Sequence, residues 1–262
     1  MRKQFESRGK QLSYIEFGDC GYPIIALHGH FGCATMFGRL AKELNPSYRI
    51  VALDQQGHGF SDHEEEYSRE GYIQDIANFM NEIKIEQAIL LGHSLGGVNA
   101  YQFAASYPEK VAGIIIEDIG TMIQDDLGFI KNWPVSFLTI RDAIEFLIGE
   151  DIDNYIYFLE SLTQTADGWR FQFDRTGLIK SQKKLNGDWT QDWEKVQCDI
   201  MLLHGEHSDV LSTEQANEIS QRKNVELIHF YESGHTIRDV EFLKYKDCIL
   251  RFLEHRHFIE GI

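Results

Sequence analysis

Ser94 stands in Gly92-His93-Ser94-Leu95-Gly96-Gly97, directly after the apolar run Ala88-Ile89-Leu90-Leu91 and directly before a helix-like segment. A serine hydroxyl is a weak nucleophile until a base takes its proton, and a sharp strand-to-helix turn presents it to such a base. Gly92 and Gly96 carry no Cβ, so strand and helix can close on each other and the turn can hold strained dihedrals. The N–H groups at the start of the next helix then face any anion that develops beside the hydroxyl. A serine that only caps a helix is the alternative; the strand ahead and the helix behind favour the nucleophile. Acyl transfer is the chemistry this arrangement serves.

That chemistry needs a base and an acid that orients it. His235, in Ser233-Gly234-His235 after the apolar run Val225–Phe230, is the expected base. The chain has 11 histidines, so position selects it rather than residue type. His58 and His93 read as packing or hydrogen-bonding groups around the turn, and His28 as a loop holder. Two carboxylates compete for the role of acid. Asp118 follows the strand Val111–Ile116, and Asp209 lies in Gly205-Glu206-His207-Ser208-Asp209 after the strand Ile200–His204. Glu117 should point away if Asp118 points in, because strand residues alternate. The residues alone leave both acids open.

The elements that must hold these groups alternate in type. Ser13–Gly18 alternates as an early antiparallel strand, and Pro23–Leu27 and Tyr48–Leu53 are apolar runs ending at His28 and Asp54. Phe37–Leu44 reads as a helix. Tyr72, Ile73, Ile76, Phe79, Met80 and Ile83 fall at helical spacing over 69–83, and a further helix runs from the elbow through Ala105. After residue 197 the rhythm resumes, with a helix near Glu214–Gln221 and a last helix over Val240–His255. Runs that are apolar throughout belong in a parallel sheet covered on both faces, with functional residues past the strands' carboxyl ends. His28, Asp54, Ser94 and Asp118 all lie there.

Residues 120–196 break this pattern and hold all four tryptophans, Trp133, Trp169, Trp189 and Trp193. They are expected to form a helical cap, with 1–119 and 197–262 as the core. The cap's aromatic residues could line an apolar acyl pocket, although Trp169, Phe171 and Phe173 are each better explained as the cap's own core. Arg141, Arg170 and Arg175 could meet a substrate carboxylate, and a solvated or paired arginine is the plainer role for each.

Composition narrows the partners. A net charge of −16 and a pI near 5.1 argue against nucleic acid and anionic membrane. The polar start Met1-Arg2-Lys3-Gln4-Phe5-Glu6 lacks the apolar core of a signal peptide, and no apolar run is long enough for a membrane span. Cys20, Cys33, Cys198 and Cys248 show no metal-like spacing and read as reduced thiols of a cytoplasmic protein. The oligomeric state is not legible.

The motifs His28-Gly29-His30-Phe31-Gly32, Asp54-Gln55-Gln56-Gly57-His58-Gly59-Phe60-Ser61, Gly92-His93-Ser94-Leu95-Gly96-Gly97 and Ser233-Gly234-His235 together resemble those of the α/β-hydrolases, in the family's order. Within that family the chain is similar to small cytosolic bacterial esterases of the YbfF type. The resemblance implies an eight-stranded, mostly parallel, doubly covered α/β sheet with a cap insertion. It implies Ser94 and His235 as nucleophile and base, and an oxyanion hole from the backbone N–H groups of Leu95 and His30, with Phe31 adjacent. In the common pattern the acid stands three residues after Gly205, where this chain has Ser208. Some members place it at the end of the preceding strand and carry serine later, which implies Asp118 as acid and Ser208 as its assistant, with Asp209 the alternative. The implied function is hydrolysis of carboxylic esters or thioesters of a small acyl substrate, with no cofactor and no metal. Carbon–carbon hydrolase or lyase chemistry on the same triad is the alternative, as is a slow ligand-binding signalling protein. Haloalkane dehalogenation is disfavoured because its nucleophile is aspartate.

Overall fold

The computed structural model describes residues 1–44, 46–152 and 154–255. The chain opens with β1 (Arg2–Ser7), β2 (Lys10–Phe17) and β3 (Tyr22–Leu27), then α1 (Gly38–Glu43), β4 (Tyr48–Asp54), α2 (Arg69–Glu82), β5 (Ala88–His93), α3 (Leu95–Ser106) and β6 (Val111–Glu117). A segment of mixed structure follows, with β7 (Met122–Ile123), α4 (Ile140–Gly149), α5 (Tyr155–Leu159), β8 (Leu162–Thr165), β9 (Gly168–Phe171), α6 (Arg175–Leu185), β10 (Gly187–Asp188) and α7 (Thr190–Lys195). The chain then returns to the sheet through β11 (Asp199–Gly205), α8 (Thr213–Ile219) and β12 (Val225–Phe230), and ends on α9 (Ile237–Val240) and α10 (Phe242–His255).

Eight strands make one sheet in the order β1-β2-β4-β3-β5-β6-β11-β12. The β1–β2 and β2–β4 pairs are antiparallel and every later pair is parallel. The apolar runs of β3, β5, β6 and β11 occupy its middle, because only strands buried on both faces need be apolar throughout. Their side chains alternate between two cores. Ile25, Leu27, Leu90, Ile114, Ile116 and Leu202 face the layer of α2 and α3. Ile24, Ala26, Ile89, Leu91, Ile115, Met201 and Leu203 face α1 and α10. Each apolar strand thus anchors both layers and brings its carboxyl end to one edge.

Residues 118–198 leave and re-enter the sheet between β6 and its neighbour β11. They are not wholly helical as the sequence suggests: β7 pairs with β10, and β8 with β9, both antiparallel. Trp133 and Phe171 lie in a separate aromatic cluster with Phe31, Phe137 and Phe158, and Trp169 packs against it. Trp189 and Trp193 do something else. Trp193 meets Tyr101 of α3 edge-to-face, at 5.6 Å between ring centroids, and belongs with Leu185 and Val196 to the core under the sheet. The expected first helix is preceded by a 3₁₀ turn over Ala34–Phe37, and the expected last helix is α10, with the short α9 ahead of it. Among the described residues no helix is long and apolar enough to cross a membrane.

Candidate active site

Ser94 joins β5 to α3 with φ 52° and ψ −119°, a conformation that a non-glycine residue holds only when its surroundings impose it. The surroundings are the two glycines. A Cβ on Gly92 would come within 2.3 Å of the Gly96 carbonyl oxygen, and one on Gly96 within 2.0 Å of the Leu27 carbonyl oxygen. Strand, turn and helix therefore touch backbone to backbone. The Ser94 N–H donates to the Glu117 carbonyl at 3.0 Å, which ties the turn to the end of β6.

The next residue after that strand end is Asp118, also at positive φ, 53°. Its side chain is fully buried and makes four polar contacts. Oδ2 lies 2.8 Å from Nδ1 of His235 and accepts the Ser208 hydroxyl proton at 2.5 Å. Oδ1 accepts the Gly205 N–H at 2.9 Å, and His204 Nδ1 is 3.5 Å away. Burial opposes ionisation of Asp118, but the His204, His235 and Ser208 contacts outweigh it and hold the carboxyl below its ordinary value. The Ser208 oxygen also accepts from the N–H groups of Val210 and Leu211, so its one proton is left for Asp118. Burial pushes the His235 imidazole down, but the Asp118 contact, with the charges of Glu117 and Asp209, carries its pKa above 6.5.

Asp209, the rival acid, is exposed at the mouth of the cavity, and among the described residues it makes no hydrogen bond to His235. Glu117 points to the opposite side, as alternation requires, where it accepts from the Arg238 backbone and guanidinium at 3.1 and 3.2 Å.

The two backbone positions expected to supply an oxyanion hole, Leu95 and His30, follow Ser94 and Gly29. Leu95 is the first residue of α3, so its N–H has no partner within the helix. His30 follows Gly29, whose carbonyl oxygen is 2.8 Å from His28 Nδ1 and accepts the Gly32 N–H at 3.1 Å. His28 Nε2 in turn accepts from the Gln55 N–H at 3.0 Å, which makes Nδ1 the protonated nitrogen, and burial keeps the ring neutral with a pKa of about 3. Phe31 sits beyond at φ 67°. Asp54 braces the neighbouring turn by accepting from the Ala34 N–H and the Ser13 hydroxyl.

Ser94, His235, His30 and Phe31 line one cavity of about 750 Å³, together with Leu127, Tyr157 and Phe158. Asp125, Asp151 and Asp209 also line it, and among its described lining residues there is no lysine or arginine. Arg170 and Arg175 border a different cavity, and Arg141 is exposed on α4. No tryptophan lines the 750 Å³ cavity. His204, Glu206 and His229 bring donor atoms within 4.8 Å of one another, the two histidines being in register on β11 and β12. His204 Nε2 lies 3.1 Å from the Thr213 hydroxyl, while its buried Nδ1 stands 3.5 Å from Asp118 without a hydrogen bond among the described residues.

Sequence reasoning missed the groups that reach in from residues 120–196. Tyr157 Oη donates to the His30 carbonyl at 2.7 Å and lies 3.4 Å from His93 Nδ1. Asn154 bonds the Thr236 hydroxyl beside His235. No local motif announces Tyr157.

The comparisons agree with this architecture. The family model described as alpha/beta hydrolase fold matches residues 22–241. The human serine hydrolase BPHL is 26% identical over 239 residues, which cover 86% of this chain and 77% of that protein. A crystal structure of E-2-(acetamidomethylene)succinate hydrolase superposes with a TM-score of 0.88 at 22% identity, covering 97% of this chain and 99% of the other. An esterase from a marine microorganism superposes with a TM-score of 0.78 at 25% identity, covering 92% and 99%.

Proposed function

The chain belongs to the α/β-hydrolase fold family, and from that membership we propose that it is a serine hydrolase cleaving carboxylic esters or thioesters of small acyl substrates. The observation that carries the reading is the 2.8 Å contact between the buried Asp118 and His235, which lines one cavity with a serine held on a strained elbow. Ser94 attacks the acyl carbon while His235 Nε2 takes the hydroxyl proton, Nδ1 being engaged by Asp118. The oxyanion that forms accepts from the His30 and Leu95 N–H groups, with Phe31 the neighbouring donor. Collapse expels the alcohol or thiol, which leaves with the proton from His235. Water, deprotonated by the same imidazole, then attacks the acyl-enzyme, and the acid departs as Ser94 regains its proton.

In this reading Asp118 is the acid, Ser208 its assistant, and Asp209 a charge at the cavity mouth. The part of residues 120–196 that stands clear of the sheet core acts as a cap, lining the cavity through Leu127, Tyr157 and Phe158. The acidic lining without lysine or arginine argues against a dicarboxylate substrate of the kind named for the succinate hydrolase. Four free cysteines fit a cytoplasmic setting.

The test is hydrolysis of short and medium p-nitrophenyl acyl esters by wild type and Ser94→Ala. Turnover that falls by about 10⁶-fold in the variant supports the reading. Turnover that survives in Ser94→Ala refutes it.

A further inference from the structure

Two side chains from the inserted segment converge on one residue of the oxyanion loop. Tyr157 Oη donates to the His30 carbonyl at 2.7 Å, and Ser181 Oγ of α6 lies 2.9 Å from His30 Nε2. Both are buried. Burial raises the Tyr157 phenol far above its ordinary value, so the hydroxyl keeps its proton and remains a donor.

The His30 N–H belongs to the peptide plane it shares with Gly29, and the Gly29 carbonyl is held by His28 and Gly32. The following plane carries the His30 carbonyl, and Tyr157 holds that one. A buried carbonyl deprived of its donor turns to find another, because leaving it unmade costs about 1–3 kcal/mol. Rotation there drags the adjacent plane, and a hydrogen bond weakens steeply as its angle closes. Phe31, at φ 67°, shows that this loop is held in a conformation it would not keep unaided. The phenol also stands beside the nucleophile. A Cβ placed on Gly29 would lie 2.9 Å from Tyr157 Oη, 3.0 Å from Ser94 Cβ and 2.7 Å from His93 Nδ1.

We propose that Tyr157 is a positioning residue of the oxyanion hole, fixing the His30 N–H through the carbonyl next to it. The inference rests on the serine-hydrolase reading, and it makes the inserted segment part of the machinery as well as the wall of the pocket. Its action is on the charge that appears in the transition state and is absent from the bound ester. Loss of the hydroxyl therefore lowers kcat and leaves KM in place.

The experiment compares wild type, Tyr157→Phe and a variant with 4-fluorophenylalanine at 157, whose fluorine is close to the oxygen in size and has no proton to donate, and which covers a folding failure of the first. Wild type is first treated with a fluorophosphonate. Failure to label Ser94 refutes the serine-hydrolase reading and with it this one. With labelling established, both variants are expected to lose about 10- to 100-fold in kcat, less than the loss of a whole oxyanion donor, with KM within about twofold. Inhibition by a trifluoromethyl ketone, which adds Ser94 Oγ to its carbonyl and leaves an oxyanion, weakens by the same factor as kcat/KM. The acid limb of the pH profile stays where it is, since His235 is untouched. Unchanged kcat and ketone inhibition overturn the proposal. So does a rise in KM alone, or a displaced acid limb, which would place the action on His235.

Discussion

Asp118 is buried and still ionised, and that combination sets the pH behaviour of the site. In the proposed mechanism His235 must be neutral to accept the Ser94 proton, and its pKa is raised above 6.5 by Asp118. The acid limb of kcat/KM is therefore expected above pH 6.5. In Asp118→Asn the raising partner is gone and burial remains, so the limb moves down, and kcat falls by about 10³- to 10⁴-fold. Asp209→Asn removes only an exposed, screened charge, and kcat should change by less than about threefold. A collapse of kcat in folded Asp209→Asn would reverse the assignment of the acid. The same pair predicts a stability window. The depressed Asp118 stabilises the fold above its unfolded value near 3.8, and this is lost as pH falls through the folded pKa. The raised His235 stabilises it below 6.5, and this is lost as pH rises through the folded pKa. The gap in Tm between wild type and Asp118→Asn is thus widest between pH 3.8 and 6.5 and narrows on either side.

The elbow at Ser94 is first of all a contact between elements. Gly96→Ala would drive a methyl to 2.0 Å from the Leu27 carbonyl, where neither backbone can yield, at a cost of ~3 kcal/mol or more. Gly149→Ala, at the end of α4 with nothing within 4 Å, should leave Tm unchanged or raise it slightly. Thermal melts of the two variants check the contrast. This is also where the sequence is most readable. β3, β5, β6 and β11 are apolar throughout because both faces are buried, so their runs give both sheet type and strand ends. β1 escapes notice because it is an edge strand with only Phe5 and Ser7 buried, and a polar edge looks like any solvated tail. Ser94, His235 and the pair of candidate acids can be read from their places after strands. The choice between Asp118 and Asp209 cannot, because it depends on where the loop after β11 turns. Tyr157 and Asn154 are invisible for a related reason: their partners lie 127 and 82 residues away.

At the scale of the molecule, the boundary suggested by composition and the boundary drawn by packing differ. Counting tryptophans assigns 120–196 to one insertion, yet Leu185, Trp193 and Val196 are buried in the core under the sheet. Asp192 of α7 accepts from Gln102 of α3, which in turn holds Arg69 of α2. Packing therefore places α7 with the sheet, and the independent part ends at β7 and β10, where Ile123 stands opposite Gly187. That pairing allows an excision that takes Leu185 from the core under the sheet but leaves Trp193 and Val196 in it. Replacing 124–186 by an Asn-Gly turn closes β7 and β10 into a hairpin and keeps Trp193 in place. The shortened chain should melt cooperatively. Its Ser94 should react with a fluorophosphonate more slowly than wild type, because Tyr157 and Ser181 no longer hold His30. Excising 120–196 instead removes Trp193 and its neighbours. Losing a buried tryptophan alone costs about 3–5 kcal/mol, a large share of the 5–15 kcal/mol that a domain has to lose. That chain should show no cooperative melt. Cooperative melting of both chains would mean that α7 adds little to the core, and would restore the boundary at 196.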